Sequence, residues 1–219
     1  MWGDYEAASP CSPLDLPQTV LEPILVHYGT IHGFKCRFDT EFISFEEMDC
    51  GLIKVRARDK IIDTEYQIQC KYLLGADGAR SKIVNQLGLP LNQNPDKGMA
   101  FNILVRTDLS HIIENRKGNL HWIIQSDKEH PLWGWIAVIR MVKPWYEWMF
   151  VIFPDPNATN VDHRPRKEEW LTRVRQFIGD DSIPAEIIGI FKWRFIDTVA
   201  EKYSKGNMYA LWSPSGLDY

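Results

Sequence analysis

No Gly-x-Gly-x-x-Gly run occurs anywhere in these 219 residues. The glycine-rich turn by which a βαβ unit sets a dinucleotide pyrophosphate on a helix N-terminus is therefore not among them. Gly-x-Ser-x-Gly is missing as well, so the nucleophile elbow of an α/β-hydrolase is not expected. The four cysteines, Cys11, Cys36, Cys50 and Cys70, form no Cys-x-x-Cys pair, which argues against a zinc ribbon and against a thioredoxin-type redox pair. The longest apolar run falls far short of the ~20 residues a membrane helix needs. Met1 to Ser12 carries no basic segment followed by an apolar one. The expectation is a cytoplasmic chain with reduced thiols, no secretory signal and no membrane partner. Net charge is −4 with both signs interspersed, so no clustered basic face marks a nucleic-acid partner.

What is present is ordinary globular material, with 45% hydrophobic and 25% charged residues, enough to bury a core. The histidines give no metal pattern. His27 and His32 are five residues apart, and His111, His121, His130 and His163 are scattered. The acids Asp155 with Asp162, and Asp180 with Asp181, read as loop residues.

Met1 to Pro13, rich in Ser and Pro and without period, reads as a connection. Leu21, Ile24, Leu25 and Tyr28 then recur at helical spacing, with Asp15 and Gln18 in a capping-box-like relation ahead of them. Pro23 fits better if the helix proper begins near Thr19, which places it in the first turns, or if the helix is kinked. From Phe34 the period changes to two: Phe34–Phe38, Phe42–Phe45, Leu52–Ala57 and Glu65–Gln69 read as one strand feeding an antiparallel meander. Tyr72-Leu73-Leu74 is a short continuous apolar run, expected to be a strand buried on both faces. A helix is expected over Ser81–Leu87 with Gly88 closing it. Phe101–Val105, Leu120–Ile124, Gly134–Val142 and Trp148–Phe153 read as aromatic-rich strands; five of the nine tryptophans lie between Trp122 and Trp148. Pro165, the acidic pair Glu168 and Glu169, an apolar face of Trp170, Val174, Phe177 and Ile178, and a terminal Gly179 specify a helix over Lys167–Ile178. Ile187–Phe195 and Gly206–Leu211 read as further strands.

The most informative stretch is Lys71-Tyr72-Leu73-Leu74-Gly75-Ala76-Asp77-Gly78-Ala79-Arg80-Ser81. It describes a strand that stops at a glycine, presents one carboxylate, turns through a second glycine and starts a helix. Ligands dock at the carboxyl ends of strands in open α/β sheets, and glycine lets the backbone approach them. Taken alone, Gly-Ala-Asp-Gly reads equally well as a tight turn with a helix-capping aspartate.

The wider match is more specific. The segment resembles the Asp-Gly fingerprint of the single-component flavoprotein aromatic hydroxylases, the group of p-hydroxybenzoate hydroxylase and phenol 2-monooxygenase. Asp15-Leu16-Pro17-Gln18 resembles that family's helix beside the flavin, Phe34–Phe45 its next strand, and Lys205–Leu211 the strand that delivers its Gly-Asp motif. The resemblance covers about Asp15–Leu211. It implies an α/β (mixed α+β) fold: a partial FAD-binding domain over 1–95, an aromatic-rich antiparallel substrate sheet over 96–200, and a return strand over 201–219. FAD and NAD(P)H are the implied cofactors, a flavin hydroperoxide the implied oxidant, a phenolic or other small aromatic the implied substrate, and a homodimer the possible assembly of the intact family. Gln18, Gly75, Asp77, Gly78 and Arg80 are the implied cofactor residues, with Ser81 capping the next helix. Trp122, Trp133, Trp135 and Tyr146 are substrate-lining candidates, although aromatics more often build cores. Both ends resemble boundaries within a longer enzyme, so weak FAD binding is expected. The alternative reading is a non-catalytic piece of that fold that holds a small aromatic or a partner chain without flavin.

Overall fold

Alternating apolar and polar residues between Thr40 and Cys70 fold as a three-stranded antiparallel meander, β1 (Thr40–Glu47), β2 (Ile53–Asp59) and β3 (Thr64–Cys70). The structure is a computed structural model describing residues 9–11, 14–93, 98–115, 118, 120–158, 165–195 and 198–211. The sequence features at Asp162, His163 and 212–219, and most of the connection before Leu14, lie outside these residues. The chain divides into two compact units, Met1–Phe38 and Asp39–Tyr219.

In the first unit, α1 (Gln18–Ile31) carries Pro23 inside it and Pro17 at its N-cap. The N-cap position is taken by Pro17, without a side-chain cap, rather than by Asp15. Gln18 instead donates from Nε2 to Glu22 Oε1, 2.5 Å away and one turn on. Phe34–Phe38, expected as a strand, is not one. A strand exists by pairing, and among the described residues Phe34–Phe38 has no ladder partner.

In the second unit, β4 (Leu73–Gly75) leads through a 3-10 turn (Gly78–Arg80) into α2 (Lys82–Leu87), which Gly88 closes in the left-handed conformation at φ 64°. Two short strands, β5 (Leu91–Gln93) and β11 (Thr198–Ala200), pair antiparallel. The aromatic half forms a five-stranded antiparallel sheet of β6 (Met99–Arg106), β7 (Leu120–Ile123), β8 (Ile136–Lys143), β9 (Glu147–Phe153) and β10 (Glu186–Arg194), in the order β10-β6-β9-β8-β7. The short helix α3 (Ser110–Ile113) follows β6, and α4 (Lys167–Ile178) lies between β9 and β10. Finally β12 (Ser204–Lys205) and β13 (Met208–Ala210) return beside β4.

Helix α4 buries Trp170, Val174 and Phe177 against Ile103, Phe150 and Ile152 of the large sheet, with Trp133 edge-on to Trp170 at 4.4 Å. Glu169 accepts from the Arg166 amide at 2.8 Å, the acidic half of a capping box at the helix start. On the same buried face sits Arg173, 2% exposed. Its guanidinium donates to Gly134 O (2.7 Å), Trp135 O (3.0 Å), Gln176 Oε1 (2.9 Å) and Gln125 Oε1 (3.3 Å). It also lies 3.9 Å over the Phe177 ring. Burial pushes its pKa below the ordinary arginine value. A second core joins Ile53 and Val55 of β2, Ile83, Val84 and Leu87 of α2, and Met208 and Ala210 of β13.

Candidate functional site

Strands β4 and β13 pair in parallel, with Leu73, Leu74 and Gly75 opposite Met208, Tyr209 and Ala210. This is the sheet that the Asp77 argument required. One face, Leu73, Gly75, Met208 and Ala210, packs toward α2, whereas Tyr72, Leu74, Tyr209 and Leu211 on the other are 41–60% exposed. The expectation that Tyr72–Leu74 is buried on both faces is thus corrected. Among the described residues α2 and the meander cover one side only.

At the carboxyl end of β4 the Gly75 carbonyl accepts from the Leu211 amide at 2.6 Å. Gly75 is not strained by its backbone; its missing side chain is what counts. A Cβ there would come within 2.9 Å of the Ile83 side chain, so glycine is needed for α2 to close on the strand. Gly78 is the opposite case. It sits at φ 73°, a conformation that favours glycine, and a Cβ would find no atom within 4 Å. Room beside the main chain therefore exists at Gly78, while at Gly75 it is filled by Ile83.

Between these glycines Asp77 is exposed. Its Oδ1 accepts the Ser81 hydroxyl at 2.5 Å and its Oδ2 accepts the Ile83 amide at 3.3 Å. Buried Ser81 in turn accepts from the Val84 amide at 2.9 Å. The helix-capping role weighed from the sequence is present. Each carboxylate oxygen still has a second lone pair toward solvent, so capping and ligand contact are compatible. Arg80 ends the 3-10 turn with an exposed side chain. Gln18, exposed, belongs to the other unit.

These residues fit part of a flavin nucleotide. An exposed carboxylate held by two internal donors can accept hydroxyl hydrogen bonds, and the open side of Gly78 admits a ligand against bare backbone. The amides of Ile83 and Val84 are already engaged, so this helix start offers them to no phosphate.

The large sheet separates the tryptophans that the sequence grouped. Trp133 is core, 8% exposed. Trp135 is half-buried, its amide bonded to Phe153 O at 2.8 Å and its carbonyl to Arg173. Tyr146 lies in the β8–β9 turn beside a cavity of about 330 Å³ that Thr107 and Glu186 also line. Trp122, 62% exposed, stands on the face away from α4. There it begins an aromatic row: Trp122 stacks near-parallel with Phe153 (6.4 Å, 10°), Phe153 with Phe195 (6.0 Å, 14°), and Trp193 meets Phe195 at 4.6 Å. The Trp193 indole donates to Asn102 Oδ1 at 2.9 Å, which fixes that end. Phe153, Trp193, Phe195 and Asn102 were missed from sequence. Their signal was the period-two register that puts Val138, Val151, Asn102 and Phe191 in line with Trp122.

The family model described as FAD binding domain matches residues 2–210. The chain belongs to that family. Among curated relatives, the chain is 38% identical over 209 residues to 2,4-dichlorophenol 6-monooxygenase of Cupriavidus pinatubonensis, covering 94% of this chain and 34% of the relative. It is 35% identical over 210 residues to phenol 2-monooxygenase of Pseudomonas sp., covering 94% and 31%. It therefore spans about a third of the length of these relatives. Among solved structures, the flavin-dependent monooxygenase PieE in complex with FAD and substrate superposes with TM-score 0.83 at 29% identity, covering 99% of this chain and 36% of that one. The fold class read from the sequence, a partial FAD-binding fold of mixed helix and sheet, is the one found. Among the described residues no helix is long and apolar enough to cross a membrane.

Proposed function

We propose that this chain is the middle portion of an FAD- and NAD(P)H-dependent monooxygenase that hydroxylates a phenolic or related small aromatic ring. The observation that carries the reading is the exposed Asp77 carboxylate at the end of the parallel β4–β13 pair, next to the open backbone of Gly78. The kinship with phenol and dichlorophenol monooxygenases supports it.

When bound, FAD supplies the redox chemistry, taking a hydride from NAD(P)H and activating oxygen for transfer to the ring. The chain's own residues bind and orient. Asp77 accepts hydroxyl hydrogen bonds from the nucleotide, Gly78 lets it approach the main chain, and Arg80 adds a contact; Gln18, in the other unit, is a cofactor candidate in its own right. On the substrate side Trp122 lies on the open sheet face, where it and the row behind it offer a flat apolar surface to an aromatic ring and displace water from it. Trp135 and Tyr146 are the further lining candidates, and the intact protein is the possible homodimer. The division into a partial flavin domain over 1–95, a substrate sheet over 96–200 and a return strand over 201–219 belongs to the same proposal.

A segment exchange tests it. The chain replaces its matching third in the Cupriavidus dichlorophenol monooxygenase, and NADPH-dependent hydroxylation of 2,4-dichlorophenol is assayed with Asp77 intact and as Asp77→Ala. The expected result is turnover in the first protein and its loss in the second. Equal turnover in both would remove Asp77 from the site. A correctly folded exchange protein that binds the partner's substrate but never reduces flavin would favour the alternative, a non-catalytic relative of the fold.

A further inference from the structure

The large sheet has a second apolar recess, on its α4 side. Strand alternation places Ile139 and Trp148 on the α4 side of the sheet, in the core with Phe177. These three wall a cavity of about 380 Å³ that α3 roofs with Ile112 and Ile113 and that edge strand β7 closes with His121. Protein interiors rarely contain voids much larger than a water molecule, and small-molecule sites begin near 300 Å³. An opening of this size, lined mostly by apolar side chains, is thus out of proportion to a packing defect.

The lining also says what would enter. Among the described residues it contains no carboxylate, ammonium or guanidinium. A charged ligand would bury its ion without a partner, at a cost of several kcal/mol or more. The imidazole of His121 is the ionisable side chain of the lining. Its Nε2 donates to Gly118 O at 3.1 Å, which leaves Nδ1 of the neutral ring as an acceptor for at most one hydroxyl. The flat rings of Trp148 and Phe177 suit a planar guest. Cavities lined by Leu, Ile and Phe take up benzene-sized molecules.

We infer that the space between α3, β7 and α4 is a binding site for a small neutral aromatic molecule, on the α4 side of the sheet rather than on the face that carries Phe153, Trp193 and Phe195. At edge strand β7 its lining includes Trp122, the outermost member of the aromatic row. The proposal does not depend on flavin, and a molecule of the substrate's own class bound there would stiffen α3 against the sheet.

Toluene titrated into the chain tests this, read from the assigned Trp148 indole N–H resonance. That group is anchored on Trp145 O at 2.9 Å, so a guest against the ring is reported without loss of the anchor. The expected result is a saturable shift in the wild-type chain, at least tenfold weaker binding in Ile113→Trp, unchanged binding in Phe195→Ala on the opposite face, and no saturable shift with benzoate. If Ile113→Trp does not keep the native spectrum, the smaller insertion Ile112→Phe takes its place with the same expectation. A non-saturating response to toluene, wild-type affinity in the filled variant, or loss of binding in Phe195→Ala instead would each overturn the assignment.

Discussion

Ser81 gives its hydroxyl hydrogen to Asp77 Oδ1 at 2.5 Å while its oxygen accepts the Val84 amide at 2.9 Å. One buried hydroxyl thus ties the candidate ligand-binding carboxylate to the first turn of α2. Orientation of Asp77 and stability of the helix are therefore one property. Ser81→Ala should cost about 1 kcal/mol of unfolding free energy, the usual loss for an N-cap, measured as a lower urea midpoint at unchanged slope. Ser81→Thr, which keeps the hydroxyl, should recover most of it.

Gly75 is required by packing. Gly75→Ala presses a methyl group against Ile83, and overpacking of this kind costs ~1–3 kcal/mol. In a double-mutant cycle with Ile83→Ala the two losses should be strongly non-additive, because the second change removes the atoms that the first one meets. Additive urea midpoints would show that the two residues do not compete for the same space.

Arg173 is the buried cation of the α4 core, and its acceptors are carbonyl and amide oxygens. Arg173→Met leaves the carbonyls of Gly134 and Trp135 without their donor, at about 1–3 kcal/mol for each buried group left unsatisfied. Thermal unfolding should drop clearly, and amide exchange should speed up first at residues 132–135, ahead of β8. Lysine should rescue only in part, since it lacks the planar fork that reaches both carbonyls.

Asp155 sets an acid limb. The Asn157 amide at 2.8 Å, and then His130 at 3.2 Å, hold its carboxyl below the ordinary carboxylate value. A depressed folded value means that its contribution is complete above the unfolded pKa of about 3.9 and is lost as pH falls through the lower folded value. Asp155→Asn should therefore flatten the melting temperature between about pH 4 and pH 2, with little change at pH 7. An unchanged acid slope would contradict the pairing.

The elements that came straight from the sequence are those whose pattern and partner lie within the chain. β6 and β8 each pair with β9, and α4 carries its own acidic start, apolar face and Gly179 end. The Gly75–Ser81 turn was legible because glycine, aspartate and serine each answer a local backbone demand. Phe34–Phe38 has strand periodicity but joins no sheet ladder among the described residues, and its first amide bonds to Gly29 O at the end of α1 instead. Tyr72-Leu73-Leu74 has the composition of a doubly covered strand, yet Tyr72 and Leu74 stay exposed while Leu73 packs. The aromatic row was hidden because β7, β9 and β10 are far apart in sequence and meet only through register. Trp133 and Trp122 are indistinguishable by residue type, and the sheet face decides that one is core and the other open surface. Arg173 lies outside the apolar face read from the sequence, and the carbonyls of a distant turn make it an interior residue.

The most direct test of the central claim is the affinity for FAD of the exchange protein built on the dichlorophenol monooxygenase, titrated as apoprotein through quenching of flavin fluorescence. With Asp77 in place the account predicts saturable binding. With Asp77→Ala it predicts binding at least tenfold weaker, in a protein whose melting temperature falls no further than that of the Ser81→Ala protein. FAD bound equally well by both proteins would contradict it.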